Sequence, residues 1–384
     1  MPAPVAPLDL LGRILPDGDQ TDFLLACLAP APEAAAAWVR WRARHAPSEA
    51  FRGRNLGLRA LSAPLAAALF AAGAPLDARD AAWLRAALLH EERRAGRYRE
   101  ILGEVLLALD SAGVPFLLSR GAAVAETVLP SPWLRHCHDV DLLVMPEHLD
   151  GASAALLRAG LSEGPAGRND RAFVHARKLP VVLHTRALTL PLGGPTVGEL
   201  AARATSASVL GVRLSLLAAD DLLIHVCAHA FANPSRRSAR WVCDAHEIVA
   251  RRPGLDWPRL NATAAAAGLA APLATTLGYL ADAIGTPVPA EVRARLAEDA
   301  ARATRFQRDL LVHAVRLDGS ASLRGMWADA GARSRLTLLR WAVAPELATL
   351  RFLDGDSRRS SASLRVRHLV GRLRQLRARS ASPG

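Results

Sequence analysis

The sequence predicts an α+β protein, in which a small core of mixed strands lies between an N-terminal and a C-terminal helical region. Two observations support this fold class. Leu and Ala dominate a 384-residue chain that is only 5% aromatic, and both residues have high helix propensity. In addition, the hydrophobic periodicity changes from helical to strand-like near Gly113 and returns to helical near Ala219.

The first region, residues 1–112, is predicted to be helical. Apolar residues recur at helical spacing from about Thr21 to Gly113, and the longest such segment runs from Ala78 to Val105. Gly113 and Pro115 then break the pattern. Residues 114–118 after this break are predicted to form a short buried strand.

The second region, residues 113–217, alternates between short strands and helices, which indicates a compact α/β core. Its predicted helices are 121–129 and 147–160, and its predicted extended segments are 139–145, 173–175, 179–188 and 208–217.

The third region, residues 218–353, is predicted to be helical, with helices near Asp220, Trp241, Trp257 and Pro289. The last region, residues 354–384, is rich in Ser and Arg. Part of this basic tail is predicted to form an amphipathic helix and its final residues to be disordered.

The net charge of +12 comes almost entirely from arginine, because Lys178 is the only lysine. Guanidinium groups are well suited to bidentate contacts with phosphate, so a phosphate-bearing partner fits this composition. The alternative is that arginine has replaced lysine over the whole surface, in which case the charge does not identify a site.

Four widely spaced cysteines do not resemble the disulfide framework of a small secreted domain. The N-terminal segment lacks a basic stretch followed by an apolar run, and the apolar stretches are shorter than the roughly 20 residues that span a bilayer. We therefore expect a cytoplasmic protein without a membrane span.

The segment from His138 to Val144 contains Asp139 and Asp141 within the sequence Asp-Val-Asp-Leu-Leu-Val. Residues i and i+2 of a strand point to the same face, so both carboxylates are predicted to lie side by side. A cation that prefers oxygen ligands, such as Mg²⁺, would relieve their repulsion and leave room for phosphates. The alternative is that Asp139 only begins the strand and Asp141 faces solvent on an edge strand.

A second candidate feature is the strand-to-helix turn at Ser119, Arg120 and Gly121. The N–H groups at a helix N-terminus bind anions, and a glycine lets the backbone approach a phosphate closely. Ser119 could donate its hydroxyl, and Arg120 could neutralise phosphate charge. Such turns are also common for conformational reasons alone. The turn indicates a phosphate site only in combination with the Asp-x-Asp segment that follows it.

These motifs resemble the uncharacterised nucleotidyltransferase family, which is related to the polymerase-β-like superfamily. That family has a Leu-Lys-Gly turn before a helix and an Arg four residues before an Asp-x-Asp-Leu-Leu-Val strand. Arg135 fills the Arg position here, and Arg120 stands where lysine is usual. The Leu-Leu-x-His-x-x-x-His segment from Leu222 to His229 and the Trp-x-x-Asp segment from Trp241 to Asp244 are also similar.

The resemblance implies a Mg²⁺- or Mn²⁺-dependent transfer of a nucleoside monophosphate from an NTP to a hydroxyl group. Asp139 and Asp141 would be the catalytic metal ligands. Ser119, Arg120, Gly121 and Arg135 would bind the nucleotide. The acceptor is expected to be a small molecule or a peptide.

One position departs from the family pattern. Relatives commonly carry Asp-x-His on a neighbouring strand, where the Asp is a third metal ligand, but here Val182 precedes His184 by two residues. His184 could act as the catalytic base because its usual pKa is near neutral, or it could be a packed, hydrogen-bonded residue. Glu126 or Asp170 could instead come into range, or catalysis could have been lost while nucleotide binding remained.

Other interpretations are less favoured. His225 and His229 are spaced as in a zinc protease helix, but Val226 occupies the position of the required Glu. The spacings of Cys227, His229, Cys243 and His246 match no common zinc pattern. The arginine surplus raises a nucleic-acid-binding alternative, although no basic stripe interleaved with aromatic residues is present. Asp244 is predicted to anchor the helical region through a hydrogen-bonded pair.

Overall fold

The structure is a computed structural model that describes residues 11–46, 56–164, 170–188, 194–232 and 239–303, apart from positions 13 and 253, together with a few positions after residue 303. Its N-terminal helices are α1 (Gly18–Leu28), α2 (Ala31–Arg42), α3 (Leu56–Arg59), α4 (Ser62–Ala71) and α5 (Ala78–Ser111). They confirm the predicted helical region and its long helix from Ala78.

Aromatic packing and capping explain how this helical region assembles. Asp17 and Gln20 form a reciprocal capping box at the start of α1, which satisfies N–H groups that a helix terminus leaves without partners. Trp41 of α2 meets Phe23 edge-on with 5.1 Å between ring centroids. Trp38 stacks on Trp41 at 5.4 Å. These rings therefore join α1 and α2 into one apolar layer.

A mixed sheet follows, in the order β3-β4-β5-β2-β1-β7-β6. Its strands are β1 (Leu117–Leu118), β2 (Val140–Leu143), β3 (Ser162–Glu163), β4 (Asp170–Val174), β5 (Pro180–His184), β6 (Thr205–Val209) and β7 (Val212–Leu216). Strand β2 runs parallel to β5, and β1 runs parallel to β7, whereas the other neighbours are antiparallel. The mixed sheet and the flanking helices confirm the α+β class.

Helices also lie between and after the strands. They are α6 (Arg120–Thr127), α7 (Leu149–Arg158), α8 (Val197–Ala202), α9 (Ala219–Ala232), α10 (Arg240–Arg251), α11 (Trp257–Ala266), α12 (Ala270–Ala283) and α13 (Ala290–Ala301). The predicted helices near residues 121–129, 147–160, 220, 241, 257 and 289 are thus present. Among the described residues, no helix combines the length and the apolar character that crossing a bilayer requires.

Strand β2 is central and fully buried, since it lies between β1 and β5 and all four of its residues are buried. Val140 and Leu142 are completely inaccessible, and Asp141 between them retains 5% exposure. The alternative of an edge strand with a solvent-facing Asp141 is therefore wrong.

Several predicted boundaries were wrong. The extended segment 208–217 is a hairpin, because Leu210 and Gly211 both adopt left-handed conformations (φ 51° and 82°) and reverse the chain between β6 and β7. The predicted strand at 114–118 is confined to β1, and β3 and α8 were not predicted. Residues 361–368 of the basic tail are helical, and the rest of the tail lies mostly outside the described residues. The division into four regions remains a prediction.

The turn between β4 and β5 carries the single lysine. The Lys178 N–H donates to the carbonyl of His175 over 2.8 Å, and Lys178 itself is left-handed (φ 67°) and exposed. This turn lies at the end of β5 opposite His184.

Gly211→Ala is expected to lower the free energy of unfolding by about 1–2 kcal/mol, because a Cβ disfavours the left-handed conformation of the β6–β7 turn. The matched control is Gly278→Ala within α12, where an added Cβ meets nothing within 4 Å. That change should raise stability by up to about 1 kcal/mol. Denaturant unfolding of both variants measures the two effects, and equal shifts would contradict the assignment of the turn.

Candidate active site

Asp139 directly precedes β2 and Asp141 is the second residue of that strand, and the two differ in their burial. The Asp139 side chain is 34% exposed, whereas the Asp141 side chain is 6% exposed. Strand alternation places both on one face of the sheet. Partial burial raises the pKa of Asp139, and the nearby negative charge of Asp141 raises it further. The two carboxylates are therefore close enough to repel each other.

Asp141 is neutralised by two cationic partners. Arg120 Nη1 donates to Asp141 Oδ1 over 2.9 Å, and His184 Nε2 lies 2.6 Å from the same oxygen. Burial by itself would raise the pKa of Asp141, but the charge of Arg120 and the hydrogen bond with His184 outweigh it, so this pKa is lowered. Asp141 is consequently ionised at neutral pH.

The sheet register determines which side chains surround Asp141. Val182 of β5 lies directly opposite Asp141, so a valine occupies the neighbouring-strand position at which the family pattern has an acid. Two residues further, His184 pairs with Asp170 of β4, and His184 Nδ1 lies 2.9 Å from Asp170 Oδ1. From the sequence, Glu126 and Asp170 were the acids that could replace the missing third ligand. Of these two, Asp170 reaches this face of the sheet.

His184 lies between two carboxylates. Burial opposes the charged imidazolium, yet the hydrogen bond with Asp141 and the contact with Asp170 outweigh burial and raise the pKa of His184. Both ring nitrogens face carboxylate oxygens, which stabilises the protonated form. In this arrangement His184 holds Asp141 in place. To act as a catalytic base, His184 would first have to lose the proton on its imidazolium.

Glu126, the other substitute acid, belongs to a different ion pair. Its carboxylate accepts a hydrogen bond from Arg99 Nε over 3.0 Å. Burial raises the pKa of Glu126. The described contacts therefore connect Glu126 to α5 rather than to Asp141.

The turn before α6 binds to β2 through Ser119. Its main-chain N–H and its hydroxyl both donate to the Asp141 carbonyl, over 3.3 Å and 3.0 Å. Arg120 then adopts a left-handed conformation (φ 50°), which is unfavourable for a residue with a side chain. The turn is thereby fixed beside the strand that carries both aspartates.

Gly121 is required by a close approach of Arg135. A Cβ at position 121 would lie 2.5 Å from Arg135 Nη1. That guanidinium is held on its other side by Asp244, with 2.8 Å from Nη2 to Oδ2 and 3.1 Å from Nε to Oδ1. The predicted hydrogen-bonded pair of Asp244 is confirmed, and its partner is Arg135.

The pair of Arg135 and Asp244 is buried. Although burial opposes the charge of Arg135, the adjacent Asp244 carboxylate outweighs burial and raises its pKa. Arg135 therefore remains charged and joins α6 to α10. Its predicted contact with a nucleotide remains a prediction.

Two positioning contacts were missed by the sequence reasoning. The Tyr98 hydroxyl of α5 donates to the Asp139 carbonyl over 3.1 Å. Arg240 Nη1 of α10 donates to the His136 carbonyl over 2.9 Å and lies 3.1 Å from His138 Nδ1. Arg240 could have been found from its position four residues before Asp244, which places both on one helix face. Nothing local in the sequence identifies Tyr98.

His225 of α9 forms a hydrogen bond with Arg120 and, among the described residues, is not part of a set of zinc ligands. Its Nε2 accepts a hydrogen bond from Arg120 Nε over 3.1 Å. Burial and the charge of Arg120 lower the pKa of His225, so this imidazole is neutral. Among the described residues, no group of three or more His, Cys, Asp or Glu side chains is arranged to hold a metal ion.

These observations combine a mixed sheet, two adjacent carboxylates on a central strand and a Gly-containing turn that begins a helix beside them. The class they define is that of the nucleotidyltransferases. The family described as uncharacterised nucleotidyltransferase matches residues 59–285, which is more than half of the chain. The protein belongs to this family, and nucleotidyl transfer is its general reaction class. No curated protein and no solved structure matches the chain.

Gly121→Ala is expected to lower the free energy of unfolding by about 1–3 kcal/mol, because the new methyl group displaces a guanidinium that Asp244 holds in place. The control is Gly96→Ala in α5, where an added Cβ meets nothing within 4 Å. That change should be neutral or stabilising by up to about 1 kcal/mol. Thermal unfolding distinguishes the two variants, and a Gly121→Ala protein as stable as the control would disprove the close approach.

The raised pKa of His184 predicts a pH-dependent stability. The folded protein binds this proton more tightly than the unfolded chain does. The stabilisation is therefore complete below about pH 6.5 and is lost as the pH rises through the folded-state pKa. Denaturant unfolding of the wild type and of His184→Gln is followed from about pH 5 to about pH 9. The difference between their free energies of unfolding should shrink as the pH rises. A difference that grows with pH would contradict the assignment.

Proposed function

We propose that this protein transfers a nucleoside monophosphate from an NTP to a hydroxyl group of a small-molecule or peptide acceptor, with a divalent cation. The single observation that carries the proposal is the placement of Asp139 and Asp141 on one face of the sheet beside the turn that begins α6. Family membership supports the reaction class.

The two carboxylates fit a cation that arrives with its nucleotide. Proteins commonly bind Mg²⁺ through one or two carboxylates, and phosphate oxygens and water complete the octahedron. Asp139 and Asp141 would hold Mg²⁺ or Mn²⁺, and this cation would neutralise negative charge on the carboxylates and the phosphates. The partial exposure of Asp139 leaves it accessible to such a complex.

The turn before α6 is the proposed phosphate site. Arg120 is 16% exposed, and its hydrogen bonds within the described residues use Nε and Nη1. A guanidinium has five N–H donors, so further donors are available for phosphate oxygens. Gly121 leaves room for the Arg135 guanidinium beside the helix N-terminus, and Ser119 and Arg135 hold the turn and its helix in position.

In the proposed reaction, the acceptor oxygen forms a bond to the α-phosphorus as the bond between the α-phosphorus and the bridging oxygen breaks. Pyrophosphate leaves with that electron pair, and the hydroxyl proton is released to solvent. His184 keeps Asp141 oriented toward the reacting phosphate through its 2.6 Å contact. The remaining cationic groups, Arg135 and Arg240, reduce the repulsion between Asp139 and an incoming polyphosphate.

Asp139→Asn is expected to reduce NTP turnover by at least about 100-fold. The substitution removes a negative charge that would bind the cation and thereby stabilise the transition state. Asp150→Asn is the matched control, since this carboxylate is 86% exposed on α7. The assay incubates purified protein with each α-labelled NTP and Mg²⁺ or Mn²⁺, and measures self-labelling and pyrophosphate release. Turnover that survives in Asp139→Asn would refute the role of this pair.

A second candidate function is a nucleotide-binding protein without catalysis. It is favoured by the position of Val182, which lies opposite Asp141 and has no group that can bind a cation. Calorimetry with Mg²⁺ and NTP separates the candidates, because binding without product supports the second one and turnover by the wild type excludes it.

Val182→Asp provides a direct test of the missing acid. A third carboxylate beside Asp141 should increase turnover at saturating Mg²⁺ by about tenfold or more, because it adds a ligand to the cation. Val182→Asn controls for size and polarity without adding charge. If both variants behave like the wild type, the position opposite Asp141 is not part of the metal site.

A further inference from the structure

The second histidine of α9, His229, has no part in the proposed reaction, although it lies on the side of the candidate active site. His225 and His229 are four residues apart, so they share one face of α9 and are separated by about 6 Å along its axis. His225 accepts a hydrogen bond from Arg120 Nε over 3.1 Å. The face of α9 that carries His229 is therefore the face that meets the turn before α6.

The two histidines differ in their contact with solvent. His225 retains 3% exposure, whereas His229 is exposed. The protein around His229 nevertheless disfavours its charged form, and together with the charge of Arg120 it lowers the pKa of His229 to about 3. A side chain that solvent reaches, and that neighbouring protein groups still desolvate, lies in a recess. His229 thus faces an opening that a solute can enter.

The charged groups around this recess are those of the candidate active site. Besides the charge of Arg120, three groups have the largest electrostatic effect on the pKa of the His229 imidazole, namely those of Asp141, Arg135 and His184. In return, His229 is among the groups that affect the pKa of Asp141. The imidazole of His229 therefore shares one electrostatic environment with β2 and with the turn before α6.

The protonation state of His229 limits what it can do in this recess. With a pKa of about 3, its imidazole is neutral at neutral pH and is too weak a base to take a proton from a hydroxyl group efficiently. A neutral imidazole still offers one N–H donor. Phosphate oxygens are strong acceptors, and the nearby guanidinium of Arg120 attracts an anion. Donation of an N–H group to a phosphate is the chemistry that this position supports best.

We propose that His229 is a phosphate-binding residue of the candidate active site, and that its neutral N–H group donates a hydrogen bond to the polyphosphate of the NTP beside Arg120. This role rests on the proposed function, because the polyphosphate belongs to the substrate of that reaction. Arg120 binds the phosphate oxygens from α6, and His229 binds them from α9. His225 keeps the Arg120 guanidinium in position through its own hydrogen bond.

Inorganic tripolyphosphate with Mg²⁺ is the probe, because it contains the phosphate chain without a base or a ribose. Calorimetry uses the full-length protein. His229→Phe keeps a planar ring but has no N–H group, and it should weaken tripolyphosphate binding at least about tenfold. His229→Gln restores an N–H donor, and it should bind within about threefold of the wild type. The matched control is His148→Ala directly before α7, which should bind like the wild type.

The same variants are then compared with fluorescent N-methylanthraniloyl ATP and Mg²⁺. His229→Phe should weaken both ligands by the same factor, because the contact is made with phosphate alone. A residue that stacks on the base would give the opposite pattern, in which His229→Phe binds the nucleotide like the wild type and His229→Gln does not. That pattern overturns the proposal. Thermal melts verify that each variant is folded, and His229→Ala replaces His229→Phe if the latter is not.

The outcomes separate this proposal from the proposed function. If the wild type binds tripolyphosphate and turns over an NTP, and His229→Phe matches it in both, the role of His229 is wrong and the proposed function stands. If tripolyphosphate binding depends on His229 but no NTP is turned over, the phosphate contact stands and the proposed function fails. A wild-type protein that binds neither tripolyphosphate nor any NTP refutes both.

Discussion

A buried carboxylate at the centre of the sheet is the constraint on which the rest of the site depends. Asp141 is almost inaccessible, and an unpaired charge at such a position destabilises a protein by several kcal/mol, roughly 3–5 when one partner is removed. Arg120 and His184 supply the compensation. Each of these partners is in turn held by another residue, because His225 contacts Arg120 and Asp170 contacts His184. The polar network therefore extends from α9 through β2 to β4.

The two helical regions enclose this network and fix the loop before β2. Helix α5 holds the Asp139 carbonyl through Tyr98, and α10 holds Arg135 through Asp244. Because one of these helices precedes the strands in sequence and the other follows them, the geometry around Asp139 depends on elements that are distant in sequence. A family match that begins at Arg59 and ends at Gly285 includes both of these helices, which agrees with their contribution to the site.

Much of the fold followed from local pattern, and most of the site geometry did not. The long amphipathic run of α5 and the buried run of β2 are visible as periodicity, which is a local property. The β6–β7 hairpin was missed because Leu210 and Gly211 form the turn, and a leucine rarely adopts a left-handed conformation. The contact between Asp170 and His184 depends on strand order and register, which a single sequence does not specify. Arg120 and Gly121 were recognised from their motif, but the contact of Arg120 with His225 of α9 and the close approach of Arg135 to Gly121 were not.

The single lysine at the β4–β5 turn has a practical consequence for spectroscopy. Apart from the chain's own terminal amine, Lys178 is the only primary amine, and it is exposed. An amine-selective dye therefore marks one defined side chain without mutagenesis. Because Pro180 and His184 are the two ends of β5 and strands rise about 3.3 Å per residue, the label would sit more than about 10 Å along the backbone from the imidazole. At that separation, a donor dye on Lys178 can report by energy transfer on acceptor-labelled nucleotides without obstructing the carboxylates.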